Sequence, residues 1–384
     1  MNKTVVVLGS DGYLGHALTL RLLFGGYRVA AIDDFQRRKH VEEMHSFSAI
    51  DIGSPEDRLE VLKKYHFDFA ELDISQDYHE MVDFLKDTDP IAVVNLAQQP
   101  SAPFSLMDRD HAVETTRNNV QGTLNILYWM KEHAPNAQLV QIGSMGEYDP
   151  GAGIDIPEGV FDLEFKGRVG KNMIFPRRPG SYYHASKVAA TYYIDCACRW
   201  WGLKATDIMQ GVVYGNYSPE MEELHLPTRL DSDEAMGTAV NRFAVQAVLG
   251  VPLTVYGGGY QSRGYLSISD SIQCLMLAIE NSPGGSEKYR TWNQLDMVYT
   301  INEIAQIVKK VCSFPVEIQH IPTPRSEKTD SFYYKPYVEK LKYLGFQPQR
   351  TIEQEIDYMV TKLLPYKADL YPLEDVVSPK IKWK

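Results

Sequence analysis

Residues 5–15 read Val5-Val6-Val7-Leu8-Gly9-Ser10-Asp11-Gly12-Tyr13-Leu14-Gly15. Four successive apolar residues predict a buried strand, and the glycines behind them are spaced for a tight turn into a helix. Gly9 permits the turn, Gly12 lets a pyrophosphate approach the backbone, and Gly15 lets helix and strand pack closely. The helix N-terminus, with Tyr13 and Leu14 in its first turn and Asp11 beside it, then faces the phosphate charge. Glycine spacing alone says little. A preceding strand, a following helix and an acid at the end of the next strand together make a dinucleotide fingerprint.

That acid is Asp33, which closes Val29-Ala30-Ala31-Ile32. Its carboxylate can accept both ribose hydroxyls of NAD and would repel the 2′-phosphate of NADP. Arg37 and Arg38 argue the other way, since they can pair with a phosphate, although they serve equally well in a solvated loop or stacked on adenine. NAD is the expected cofactor, with Arg37 among its contacts. Asp73 and Ile74, just after the third strand, are expected at the adenine; the bland alternative for Asp73 is a helix N-cap.

Working outward, short apolar runs recur at Thr4–Leu8, Arg28–Ile32, Phe69–Leu72, Ala92–Leu96, Gln138–Ile142 and Ala205–Met209, with helical periodicity in most gaps. Strand, helix, strand repetition predicts an α/β, doubly wound, parallel-sheet Rossmann fold with right-handed crossovers. Long helices are predicted over His111–Ala134 and Tyr182–Trp201, and others near Gly237–Leu249, Ser269–Glu280 and Ile301–Val311. Residues 1–210 are expected to form the NAD-binding domain, and 211–384 a smaller α/β substrate-binding lobe interwoven with it. Within the first, 149–180 is rich in Gly, Pro and charge, with short strands near Gly159–Phe165; it reads as a functional flap or as a solvated insertion.

The chain has 384 residues, 44% of them hydrophobic, and a net charge of −11. That charge argues against general affinity for nucleic acid or anionic membranes. Its four cysteines, Cys196, Cys198, Cys274 and Cys312, show neither a disulfide framework nor metal-ligand spacing, so no metal is expected. A core strand directly after Met1-Asn2-Lys3 leaves no room for a signal peptide, and no apolar run approaches membrane-spanning length. A cytoplasmic location is expected, although a removed organellar transit peptide would leave no trace.

Ser181-Tyr182-Tyr183-His184-Ala185-Ser186-Lys187 sets Lys187 one helical turn after Tyr183. A tyrosine titrates near pH ~10, so a neighbouring ammonium is needed to make its phenolate a base near neutrality. Tyrosine and lysine four apart are also common on ordinary helix surfaces. The context adds weight, because the strand Leu139-Val140-Gln141-Ile142-Gly143 delivers Ser144 to the sheet edge, where its hydroxyl can meet a reacting alcohol or merely make a turn.

With the glycine turn and Asn118-Asn119, these residues resemble the extended short-chain dehydrogenase/reductases. Ser144, Tyr183 and Lys187 match that family's proton-transfer triad. More specific phrases cover almost the whole chain. Asn95 to Ser105 (NLAQQPSAPFS), Gly143 to Tyr148 (GSMGEY), Tyr183 to Lys187 (YHASK), Gln210 to Gly215 (QGVVYG), Asn241-Arg242-Phe243, Arg263-Gly264-Tyr265-Leu266 and Pro324-Arg325 are similar to UDP-sulfoquinovose synthases. The chain departs at Ser144, where the family commonly has threonine, and at Pro100, where plant members have arginine; the second change removes an anion contact.

The resemblance implies UDP-glucose and sulfite as substrates, NAD as a recycled cofactor and a homodimer formed through the two long helices. It makes Tyr183 the base at the sugar C4 hydroxyl, Lys187 its activator and ribose anchor, and Ser144 the positioning donor. His184 and Glu147 become candidates for later proton transfers, against a packed imidazole and a strand-end carboxylate. Arg263 and Arg325 become diphosphate ligands rather than surface ion-pair partners. Asn241 joins them, although a buried structural amide is equally consistent with its chemistry. Gln99, Ser101 and Gln210 complete the expected substrate wall with Tyr183.

Other readings are a nucleotide-sugar 4,6-dehydratase or 4-epimerase, and a non-catalytic NAD-sensing protein. The dehydratases carry Asp-Glu after the reactive hydroxyl residue, where this chain has Met145-Gly146.

Overall fold

The computed structural model describes residues 3–148, 154–323 and 335–379. Its centre is a sheet of seven parallel strands. In chain order come β1 (Thr4–Leu8), β2 (Arg28–Asp33), β3 (Phe67–Glu71), β4 (Ala92–Asn95) and β5 (Gln138–Ser144), then a hairpin of β6 (Val160–Phe165) and β7 (Arg168–Ile174), then β8 (Lys204–Gln210). The second lobe holds β9 (Val212–Tyr214), β10 (Leu253–Tyr256) and β11 (Ser262–Ser267). After it, β12 (Tyr289–Gln294) returns to the large sheet before β13 (Met297–Thr300) and β14 (Ile318–Ile321). The large sheet runs β3-β2-β1-β4-β5-β8-β12. The expected doubly wound architecture is therefore present, with its topological switch between β1 and β4.

Every residue of β1 is buried, because both faces of the sheet are covered. Val5 and Val7 pack with Leu18 and Leu22 of the first helix and with Ile272 and Leu275 of the Ile268–Glu280 helix. Val6 and Leu8 face the opposite side, against Ile126, Met130 and Ile194. A separate core around Phe243, Leu253, Ile304 and Ile356 holds the second lobe. There β9, β11 and β13 form one small sheet, and β10 and β14 another.

Three boundaries depart from the sequence reading. The third strand is Phe67–Glu71 rather than Phe69–Leu72, since pairing with β2 begins at Val29 opposite Phe67 and its residues are only half covered. The first long helix is interrupted by a π turn at Arg117–Gln121, between α-helical Arg109–Thr116 and Gly122–His133. The short strands of the 149–180 insertion form an antiparallel hairpin that runs on to Ile174, beyond Gly159–Phe165. Asn293 of β12 donates through Nδ2 to the Tyr337 carbonyl at 2.9 Å, and its N–H donates to Glu158 at 3.0 Å, which ties the root of the insertion to the edge of the large sheet.

Candidate active site

The ends of β1, β4 and β5 open into one cleft of about 820 Å³ that continues to the second lobe. At its floor the Gly9 N–H donates to the Ile32 carbonyl at 2.7 Å, with φ at +85°. A Cβ on Gly9 would lie 2.6 Å from the Ala97 nitrogen, and one on Gly15 would lie 1.8 Å from the Gly9 oxygen. Both positions therefore exclude a side chain. Gly12 begins the Tyr13–Phe24 helix without a side-chain cap, so the first N–H groups point into the cleft as an anion site. Tyr13, Leu14, Asp33, Asp73 and Ile74 also line it. The donors and the space fit a dinucleotide pyrophosphate.

Asp33 accepts the N–H groups of Asp11 and Phe35 at 2.8 and 2.7 Å. Burial, and then the Asp11 carboxylate, push it up to about 7. Asp11 itself does not line the cleft. Its carboxylate is taken by Arg38 and Arg58, both at 2.7 Å. Arg37 does reach the wall, but its guanidinium is held by Asp231 at 2.7 Å and by the Met236 carbonyl at 2.8 Å. Both arginines are thus engaged by protein groups, while Asp33 lines the cleft at the end of β2.

The Tyr182–Trp201 helix starts at Ser181, whose hydroxyl caps the His184 N–H at 3.1 Å. This sets Tyr183, His184 and Lys187 along the cleft, opposite Ser144 at the end of β5. Burial, then Glu147, push the Tyr183 phenol above its usual range, while a hydrogen bond to Ser144 pulls it back. Lys187 Nζ donates to the Ile142 carbonyl at 2.7 Å and to Gln98, and lies 5.6 Å from the Tyr183 ring centre. Burial pushes Lys187 down to about 8, opposed by Glu147 and Asp207. The π turn serves the same region. It carries Asn118 and Asn119, whose side-chain oxygens both accept the Gln99 N–H, and Asn119 also donates to Ser186 at 2.9 Å.

Among the expected substrate contacts, Gln99, Ser101, Gln210 and Arg263 line the cleft, as does Pro100. Gln99 Nε2 is buried with no partner among the described residues, leaving a donor for a ligand. Ser101 donates to the Ala235 carbonyl, and Gln210 to Gln294 at 2.9 Å. Asn241 is not on the wall, because its side-chain oxygen accepts the Gly215 N–H at 2.9 Å and fixes the end of β9. Glu147 is fully buried behind the wall, paired with Arg177. Arg325 lies outside the described residues.

Two arginines escaped the sequence reading. Arg242 lines the cleft, donates to the Tyr256 hydroxyl at 3.1 Å and keeps a buried, unpartnered Nε. Its signal was the Asn-Arg-Phe phrase, from which only the asparagine was selected. Arg177 had no signal distinguishing it from other charges of the insertion.

Residues 5–293 match the NAD dependent epimerase/dehydratase family. The chain is 40% identical to the UDP-sulfoquinovose synthase of Sulfolobus acidocaldarius, over 99% of this chain and 97% of the relative. It is 37% identical to the chloroplastic UDP-sulfoquinovose synthase of Spinacia oleracea, over 100% of this chain and 79% of that one.

The chain belongs to the NAD dependent epimerase/dehydratase family.

The family fold is equally evident in a solved UDP-glucose 4-epimerase from Thermotoga maritima, with a TM-score of 0.70, 20% identity and coverage of 95% of this chain and 99% of that one. As a member of the epimerase/dehydratase family the chain is an NAD-dependent enzyme, and the glycine cradle with Asp33 is the part of the cleft that fits this cofactor. Among the described residues no helix is long and apolar enough to cross a membrane.

Proposed function

We propose that the chain makes UDP-sulfoquinovose and water from UDP-glucose and sulfite. The observation that carries this reading is that Ser144, Tyr183 and Lys187, the glycine cradle, and Arg242 and Arg263 all line one cleft. The full-length similarity to two UDP-sulfoquinovose synthases supports the choice of sugar and sulfur donor.

Held by the Gly9–Gly15 turn and Asp33, NAD would supply reversible hydride transfer at the sugar C4. Tyr183 takes the C4 hydroxyl proton, Ser144 orients that hydroxyl, and Lys187 anchors the ribose and favours the phenolate. A ketone at C4 acidifies the C5 proton, because the resulting carbanion is delocalised into the carbonyl. Water is lost across C5 and C6, and sulfite adds at C6. His184, beside Tyr183 on the wall, serves these later proton transfers, and the Gln99 and Ser101 loop faces the same space. Arg263 and Arg242, with Arg325, hold the UDP diphosphate through their planar donor forks.

The enzyme works as a cytoplasmic homodimer in this reading. Four free cysteines favour a reducing compartment. Tyr182, Tyr193 and Trp200 form one exposed stripe along the Tyr182–Trp201 helix, suited to a twofold contact. Incubation with UDP-glucose and sulfite, followed by mass analysis, tests the reaction. A sulfonated nucleotide sugar is expected. A 4-keto-6-deoxy sugar would mark a 4,6-dehydratase, and tightly bound NAD without turnover would mark an NAD sensor.

A further inference from the structure

Behind the wall of the cleft, four charged side chains are buried together: Lys187, Glu147, Asp207 and Arg177. Glu147 stands in the 3₁₀ turn after β5. One of its oxygens accepts the Ser144 N–H at 2.8 Å, and the other pairs with Arg177. Asp207, on β8, accepts the Thr191 hydroxyl at 2.6 Å and the Tyr289 hydroxyl at 3.0 Å, while its second oxygen is buried without a partner among the described residues. The two carboxylates converge on Gly143, where a Cβ would lie 2.9 Å from an oxygen of each. Gly143 is one residue from the Lys187 acceptor Ile142 and one from Ser144.

Buried charges of this kind are costly unless they compensate one another. Here two cations meet two anions, and one cation comes from the insertion. Arg177 lies over the Tyr148 ring at 5.0 Å, and the next residue, Arg178, donates its N–H to the Glu147 carbonyl at 3.1 Å. Neither Glu147, Asp207 nor Arg177 reaches the cleft wall, so none touches a reacting atom. Packing alone does not require such a set, since a neutral core would fill the same space.

We infer that Glu147 and Asp207 are positioning residues that act through Lys187 and Tyr183 as buried counter-charges, with Arg177 of the insertion stem paired to Glu147 beneath the Ser144 turn. The insertion is thereby part of the catalytic apparatus from behind. The inference rests on the proposed use of Tyr183 as the base. The titratable groups bearing on the Tyr183–Lys187 pair are Glu147 from the turn, Asp207 from β8 and His184 from the same helix, and around the two carboxylates stand Arg177 from the insertion, which also lies over Tyr148, and Tyr289 from β12. Glu147 bears on both members of the pair, whereas Asp207 bears on Lys187.

That difference provides the test. Ultraviolet titration of the NAD-loaded enzyme, each variant minus the same variant carrying Tyr183→Phe, follows the phenol without substrate. Glu147→Gln should move it acidward by roughly one pH unit, as expected for loss of a nearby like charge, and Asp207→Asn should leave it in place. In the pH profile of product formation, Glu147→Gln should move both limbs acidward, and Asp207→Asn chiefly the alkaline limb. Glu147→Asp should restore the wild-type profile.

Should Glu147→Gln fail to fold around an unpaired Arg177, the double variant Glu147→Gln/Arg177→Met removes both charges and should give a displacement in the same direction but smaller, since losing the more distant cation offsets part of losing the anion. A folded single or double variant with an unmoved phenol and unmoved limbs would overturn the inference, whatever its maximal rate. If the phenol moves as expected while the wild type makes no sulfonated product, the counter-charges stand and the proposed reaction falls.

Discussion

Gly146 lies directly against the His184 imidazole: a Cβ at Gly146 would sit 2.1 Å from His184 Nε2 and 2.6 Å from Cδ2. The missing side chain is what lets the ring occupy this place in the cleft, with Nδ1 at 2.9 Å from the Ser181 hydroxyl. Gly146→Ala should therefore displace His184 while leaving the glycine cradle untouched. Misplacement of a catalytic group by about an ångström can cost on the order of a hundred-fold, so turnover should fall by about that factor with NAD affinity preserved. Steady-state rates and NAD titration check this together. Unchanged turnover would remove His184 from the chemistry.

Tyr183→Phe removes the phenolic oxygen and keeps the ring beside His184. Proton transfer by a positioned side chain contributes roughly a hundred- to ten-thousand-fold, so product formation should drop by at least about the lower figure. UDP-glucose and NAD should still bind, which calorimetry can measure. Near-wild-type turnover would show that another group is the base.

Burial holds Asp33 at about 7 in the free protein. Ribose hydroxyls donate best to the ionised carboxylate, so NAD affinity should rise with pH. For a group titrating near neutrality that becomes fully ionised on binding, the gain between pH ~6 and ~8 is about tenfold. Without cofactor the sign reverses: Asp33 contributes stability below its unfolded value near 3.8, and loses it as pH rises toward 7. Asp33→Asn should flatten both curves in NAD titrations and thermal melts across this range. A wild-type NAD affinity independent of pH would contradict the assignment.

Trp200, Tyr182 and Tyr193 are 68%, 58% and 40% exposed along one stripe of their helix. If this stripe joins two copies, Tyr193→Asp should place two carboxylates near the twofold axis and shift the protein from dimer to monomer in light scattering. A wild type that is already monomeric at working concentration would reject the contact.

The features legible in the sequence were those fixed by neighbours along the chain. Gly9, Gly12 and Gly15 follow from backbone sterics within one turn, and Tyr183 and Lys187 share a helix face by their spacing. Asp33 was legible because a strand end carries it to the cradle. Features set by distant partners were not. Asp11 looked like a cofactor contact, but its carboxylate belongs to Arg38 and Arg58. Asn241 looked like a ligand, but it holds Gly215. Glu147 looked available for proton transfer until Arg177, thirty residues later, closed over it. No local pattern distinguishes Arg177 from Arg178. The π turn was equally hidden, since the hydrogen bonds satisfying Asn118 and Asn119 come from a loop before the helix.

Because β12 pairs with β8 along Tyr289–Gln294, a chain emerging from the ribosome has made its whole cofactor cradle well before the large sheet has its last strand. Until then the backbone of Lys204–Gln210 presents an open row of donors and acceptors, the kind of edge that recruits other strands. The part of the second lobe that carries β9, β10 and β11 must therefore be synthesised before the first can close. A fragment ending near residue 210 would contain every residue of the nucleotide fingerprint and still carry an adhesive margin, so the smallest unit to express intact runs at least through Gln294.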